Sequence, residues 1–199
     1  MDFKELLMSR YATKKFDGTK IDDGKIEELF EMIRFAPSAL NLQPWKVKVV
    51  TDKDTKNKLS VASMEQAQIK TCSHLLIFCA DTDLSGNADK ITNLMKKVGV
   101  PDENLKQVQE VMKIFLSNYN SETGINEAQC NVFIAAITAI YAAKSLGIDS
   151  CPMQGFSAEL YSEILEIPSD IVPTILVPIG YPADNPMPKL RFPKEDIFF

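Results

Sequence analysis

Phe35-Ala36-Pro37-Ser38-Ala39-Leu40-Asn41-Leu42-Gln43-Pro44-Trp45 joins an amphipathic helix to a strand and carries the one tryptophan of a 199-residue chain. Two prolines fix φ and stop the helix, so the connector is rigid. Ser38, Asn41 and Gln43 give it side chains that can hydrogen-bond a ligand. It reads either as a binding edge beside a large aromatic or as a well-made helix stop.

On its N-terminal side, Ile26, Leu29, Phe30, Ile33 and Ala36 recur at helical spacing, with Asp22 or Asp23 as the cap. Further upstream, Phe3, Leu6 and Leu7 share a helical face that ends at Arg10. Arg10-Tyr11-Ala12-Thr13-Lys14-Lys15-Phe16 follows as a basic loop with two aromatics. Lys15 is assigned to solvent, while Arg10 and Lys14 stay open between a solvated cluster and a site.

On the C-terminal side, Lys46 to Thr51 alternates as a strand with one wet face. Asp54 is the expected cap of a helix through Leu59 to about Met64. His74 to Ala80 is continuously apolar after its first residue and reads as a strand covered on both faces. His74, the sole histidine, is expected to be a hydrogen-bonded structural residue at the strand's head.

Residues 83–122 form an excursion of two helical stretches. The first, Asp89 to Val98, is broken by Gly99-Val100-Pro101-Asp102; the second carries Leu105, Val108, Met112 and Phe115 on one face. Phe115 and Tyr119 read as core, with pocket lining as the alternative. Ile125 to Leu146 is the longest helix, stopped by Gly147 and apolar nearly all round at its centre. A helix of that kind belongs in the middle of a core or across a subunit interface. Ser157 caps a short helix to Glu166, and Thr174–Val177 is a strand flanked by Pro173 and Pro178. The proline-rich tail ends in Ile197-Phe198-Phe199, an apolar finish that suggests docking on another surface.

Composition excludes several classes. The net charge is −5 and no Lys/Arg run exceeds two residues, which argues against nucleic-acid or membrane-surface binding. The N-terminus lacks the basic and apolar regions of a signal peptide, and the four cysteines include no CxxC, so reduced core thiols in a cytoplasmic protein are expected. No two of the eight glycines lie closer than six positions, which removes GxGxxG and the P-loop. One histidine makes a histidine metal site or a Ser-His-Asp triad improbable. An enzyme with this inventory borrows its reactive group from a cofactor.

Lys189 and Arg191, two apart on an extended segment, point the same way and make a two-pronged phosphate clamp, with Arg10 as a third prong. Together with that clamp, the ordered set of segments is specific. It runs through Ser9–Lys14 with Phe16, Ala36–Asn41 with Gln43-Pro44-Trp45, and Ser73-His74. It continues with Leu146–Asp149 before Pro152–Phe156, and with Gly180-Tyr181 ahead of Pro188–Arg191. Over nearly the whole chain it closely resembles the FMN-dependent nitroreductase family, in particular the oxygen-insensitive NAD(P)H nitroreductases and their dihydropteridine-reductase-like relatives.

The resemblance implies a single domain over residues 1–199 with an α+β fold: a central, mainly antiparallel sheet surrounded by helices, built as an intertwined homodimer with FMN at the subunit interface. Arg10, Lys189 and Arg191 would bind the FMN phosphate, with Tyr11 and Ala12 in the same loop. Lys14 would lie near the pyrimidine edge, where a cation stabilises negative charge on the reduced flavin. Pro37, Ser38, Ala39 and Asn41 would come from the other subunit, and Asn131 would lie near the partner's FMN. Pro152, Met153, Gln154 and Gly155 would pass along the ring, with a backbone N–H near flavin N5. Gln68, and secondarily Gln66, would face a flavin carbonyl; Leu40 and Phe115 would face the substrate.

Ala12 stands where the family often has a hydroxyl. Glu65 and Gln68 stand where the enteric-type enzymes carry Asn and Lys, and Gln154 replaces a carboxylate. The implied activity is ping-pong hydride transfer from NADH or NADPH to a nitroaromatic, quinone or similar small acceptor. The alternatives are a flavin storage or sensing protein, or another flavin reduction such as dehalogenation or enone reduction.

Overall fold

The computed structural model describes residues 2–199, Ser121 through its backbone alone. In chain order the elements are α1 (Phe3–Ser9), α2 (Asp23–Arg34), a 3-10 turn (Ala39–Asn41), β1 (Trp45–Val50), α3 (Lys53–Val61), α4 (Ala67–Thr71) and β2 (His74–Asp81). Then come α5 (Leu84–Lys97), α6 (Asp102–Ser117), α7 (Ser121–Ser145), β3 (Asp149–Ser150), α8 (Ala158–Leu165), β4 (Ile171–Gly180) and a last 3-10 turn (Lys194–Asp196). The sheet order is β1-β2-β4-β3 with every pairing antiparallel, as expected of an α+β fold with a central antiparallel sheet.

β2 is buried along its whole length because helices cover both of its faces. Leu76, Phe78 and Ala80 pack with α2 and α7, while Leu75, Ile77 and Cys79 join α3, α4 and α8. That two-sided cover is why its sequence is a continuous apolar run rather than an alternation. α7 is the central strut. Ala128, Val132, Ala135, Ala136, Ala139 and Ala143 are fully buried beneath the sheet, and their small size lets the helix approach closely. Phe133, Ile134 and Ile137 on its other side remain about 40% exposed. Gly147, at φ +76°, ends the helix while Ile148 N–H donates to Ala143 C=O at 2.9 Å.

Several expectations are corrected. Asp52, not Asp54, caps α3, because its carboxylate accepts the Thr55 N–H at 2.7 Å, and the helix stops at Val61 ahead of left-handed Met64 and Glu65. α5 starts at Leu84, five residues early, since Asp83 caps it through the Gly86 N–H. β4 extends past both prolines. Pro173 sits at a bulge opposite Cys79, where the ladder skips, and the Pro178 carbonyl accepts the Cys151 N–H at 3.1 Å. Of the α1 face only Leu6 is buried; Phe3 and Leu7 are exposed. Cys130 lies exposed on α7, unlike the other three cysteines. The tail's Ile197, Phe198 and Phe199 are exposed. Among the described residues no helix is long and apolar enough to cross a membrane.

Candidate active site

The basic loop is pinned along the β3 edge of the sheet. Thr13 N–H donates to Ser150 C=O at 3.2 Å, Phe16 N–H donates to Thr71 Oγ1 at 3.1 Å, and the Phe16 ring is buried against Gly180. Asp184 clasps the loop from outside: it accepts the Tyr11 hydroxyl at 3.0 Å and the Lys14 backbone N–H at 2.6 Å. This leaves the Lys14 side chain directed at Cys151, with Nζ 3.6 Å from Sγ. Burial pushes the Cys151 thiol up, against the pull of Lys14 and Arg10, so it stays protonated.

Lys189 reaches back from the tail to the C-terminal end of α1, donating to the Leu7 and Met8 carbonyls at 2.6 and 2.7 Å. Desolvation lowers its pKa, and the neighbouring Arg10, Arg191 and Lys144 charges lower it further, which places four cations in one field. Lys144 is tied to Asp149 at 2.5 Å. Among the described residues, none of Arg10, Lys14, Lys189 and Arg191 forms an ion pair with a carboxylate. Ser150 Oγ, next to Cys151, is buried without a hydrogen-bond partner among the described residues.

A polar strip continues from this cluster. Met153 exchanges both backbone hydrogen bonds with Leu176, at 2.9 and 3.0 Å, which fixes residues 152–155 on the sheet edge. Gln154 is exposed, and Gly155 C=O accepts from Gln66 Nε2 at 3.2 Å. Gln66 Oε1 in turn accepts from Gln68 Nε2 at 3.0 Å, so the buried Gln68 sets which way the Gln66 amide points.

The 37–43 connector lies elsewhere, on the N-terminal half of α7. Leu40, Asn41 and Gln43 have φ of 48°, 56° and 48°, a left-handed conformation costly for residues with a Cβ. Hydrogen bonds hold it: Gln43 N–H donates to Ser38 Oγ at 2.9 Å, Gln43 Nε2 to Asn41 Oδ1 at 3.0 Å, and Ala39 N–H to Asn131 Oδ1 at 2.8 Å. Pro37 and Asn41 are exposed. Leu40 and Phe115, both expected on the substrate side, meet in one small cluster with Leu42, Ile91 and Met112 beneath the α5–α6 hairpin.

The expected site residues thus fall into two groups. Arg10, Tyr11, Ala12, Lys14, Gln66, Gln68, 152–155, Lys189 and Arg191 form one; 37–41, Asn131 and Phe115 form the other. Asp184 and Lys144 escaped sequence reading. Asp184 lies in a loop of no pattern, and the Lys144–Asp149 pair straddles the helix stop at Gly147, so neither has a periodic signal.

The nitroreductase family model matches residues 7–181. YfkO of Bacillus subtilis, provisionally named an NAD(P)H nitroreductase, is 34% identical over 205 residues, covering 94% of this chain and 92% of that protein. A solved structure from Staphylococcus epidermidis, provisionally named an NAD(P)H:FMN oxidoreductase, has a TM-score of 0.90 at 27% identity, covering 98% of this chain and 94% of that one. Another from Exiguobacterium sibiricum, a nitroreductase by provisional name and in complex with FMN, shares the fold at a TM-score of 0.90 and 23% identity, covering 99% and 96%.

Proposed function

The chain belongs to the nitroreductase family, and we propose that it is an FMN-dependent NAD(P)H oxidoreductase that reduces nitroaromatics, quinones or similar acceptors by a ping-pong cycle. The observation that carries this reading is the edge where Arg10, Lys14, Lys189 and Arg191 gather with, among the described residues, no carboxylate paired to any of them. Such a field calls for an anion. The donor set fits a flavin mononucleotide: cations for a phosphate, a polar strip for a heterocycle's carbonyls, and the exposed Gln154 beside half-buried Gly155.

In this reading Arg10, Lys189 and Arg191 hold the phosphate. Lys189 is preorganised for it, because the α1 carbonyls already fix its ammonium. When bound, FMN supplies the redox chemistry, accepting two electrons from the nicotinamide and yielding them to the acceptor. Lys14 provides positive charge at the ring's edge, and Tyr11 and Ala12 shape the wall beside it. Residues 152–155 lie along the ring, with Gln66 and Gln68 setting the polar strip beneath. The chain supplies orientation and electrostatics, and none of its side chains acts as a nucleophile.

The two groups of site residues imply a second copy. Asn131 and Lys144 mark the two groups on α7, and at the helical rise they stand about 20 Å apart along the axis, beyond the reach of one tricyclic ring. A partner related by a two-fold axis brings its 37–41 turn and Asn131 to the cationic edge of this subunit. The same partner covers Phe133, Ile134 and Ile137 on α7, Phe3 and Met8 on α1, and the apolar tail from Leu190 to Phe199. Leu40 and Phe115 then face the acceptor.

An anaerobic visible-absorbance titration with NADH and NADPH tests the activity. The expected result is yellow protein that bleaches, then regains colour on adding a nitroaromatic or quinone. Yellow protein that will not bleach indicates a storage or sensing role. Colourless protein that takes up no added FMN overturns the proposal.

A further inference from the structure

Lys56, on α3, is 7% exposed, and among the described residues its ammonium has one hydrogen-bond partner, the Cys72 carbonyl at 2.7 Å. No carboxylate balances it among the described residues. A buried cation without a counter-charge is costly, and native structures pair such groups. Across the head of β2 stands His74, 5% exposed. Ser73 Oγ accepts the Ile21 N–H at 2.9 Å and lies 2.9 Å from His74 Nδ1. In the tautomer in which the Ser73 hydroxyl donates to Nδ1, the neutral ring carries its own proton on Nε2, and no protein group among the described residues accepts it.

Both donors line one cleft of about 460 Å³, which Gly18, Lys20, Thr51 and Ser73 help to wall. Asp23, the one carboxylate in its lining, pairs with Lys20 at 2.7 Å at the exposed rim, so it leaves Lys56 uncompensated. The Cys72 thiol, pushed up to about 12 by burial, adds no charge.

We propose that this cleft is an oxyanion site, taking a phosphate- or sulfate-type anion between the Lys56 ammonium, the His74 Nε2–H and Lys20. An oxyanion supplies the charge that Lys56 lacks and lone pairs for both unused donors, whereas water satisfies only the hydrogen bonds. The site shares no residue with the proposed flavin site and stands whether or not flavin binds. Burial, together with Lys20 and Lys56, lowers the His74 pKa, while Asp23 opposes the change. An anion in the cleft raises it again.

Because His74 is the sole histidine, its imidazole proton resonances report on the site without ambiguity. The experiment is a pH titration of those resonances in chloride and in sulfate at matched ionic strength; sulfate keeps its charge across the range. The expected result is a saturable upward move of the midpoint by at least about half a pH unit in sulfate, meaning about threefold tighter binding to the protonated ring. Inorganic phosphate should compete with sulfate. Lys56→Met should abolish the response while retaining native near-UV dichroism. A midpoint equal in both salts, a response that does not saturate, or one that survives in Lys56→Met overturns the proposal. If Lys56→Met fails to fold, Lys20→Ala at the exposed rim decides: about threefold weaker sulfate binding supports the site, and unchanged binding overturns it.

Discussion

Asn131 Oδ1 accepts the backbone N–H of Ala39 at 2.8 Å, and this bond ties the strained 38–43 turn to the long central helix. The same side chain donates to the Glu127 carbonyl and carboxylate, both at 2.9 Å, and Glu127 takes the Tyr119 hydroxyl at 3.1 Å. The amide therefore has a fixed orientation, acceptor toward the turn.

Removing that acceptor leaves Ala39 N–H without its partner beside three left-handed residues. Asn131→Ala should cost about 1–2 kcal/mol of stability, read as a lower denaturant midpoint. It should also weaken FMN binding. Wild-type midpoint and flavin affinity together would show that the turn holds itself.

Gly180 presses on the Phe16 ring: a Cβ there would sit 2.9 Å from Cδ1 and 3.2 Å from Cβ of a side chain that is itself buried. Phe16 cannot swing aside. Gly180→Ala should destabilise by about 1–3 kcal/mol and shift the basic loop, lowering both the thermal midpoint and FMN retention. Gly155→Ala is the contrast, because the atom it meets at 2.8 Å is the tip of exposed Met64, which can move. Equal losses in the two variants would contradict this account.

Legibility in the sequence followed physical locality. The elements with strong periodicity, α2, α6 and α7, and the two-sided run of β2 were readable because burial writes directly into residue spacing. Ser157 as a cap was readable because its hydroxyl meets Leu160 N–H three residues on. The β4 ends were not, because prolines normally stop strands and only the bulge opposite Cys79 accommodates one here. At the site, the resemblance named residues, but their separation into two groups depends on positions along α7 that no local pattern encodes. Asp184 is tied to Tyr11 and Lys14 across more than 160 residues, a relation that exists only once the tail folds back.

His74 gives stability a pH dependence of definite sign. Burial holds its folded pKa below the ordinary value of 6.5, so the unfolded chain binds the proton more strongly. The contribution is fully present above that value and is lost as pH falls through the folded pKa. In chloride buffer the urea midpoint should fall between about pH 7 and about pH 5.5, where carboxylates remain ionised. His74→Gln, which can keep the Ser73 contact, should flatten that slope. An unchanged slope would assign the dependence to other groups.

Lys189 and Arg191 separate binding from folding. Lys189 holds the last carbonyls of α1, whereas among the described residues the Arg191 guanidinium donates only to the adjacent Leu190 carbonyl, at 2.6 Å. Lys189→Ala should thus lower both the thermal midpoint and FMN affinity, and Arg191→Ala should lower FMN affinity alone. The double variant should bind FMN at least about tenfold more weakly, with a reduced dependence on salt, measured by quenching of flavin fluorescence. Lys15→Ala, whose side chain points to solvent, is the control. Undiminished flavin affinity in the double variant would remove the phosphate clamp, and equal salt dependence in all four proteins would mean that the tail's charges never meet the ligand.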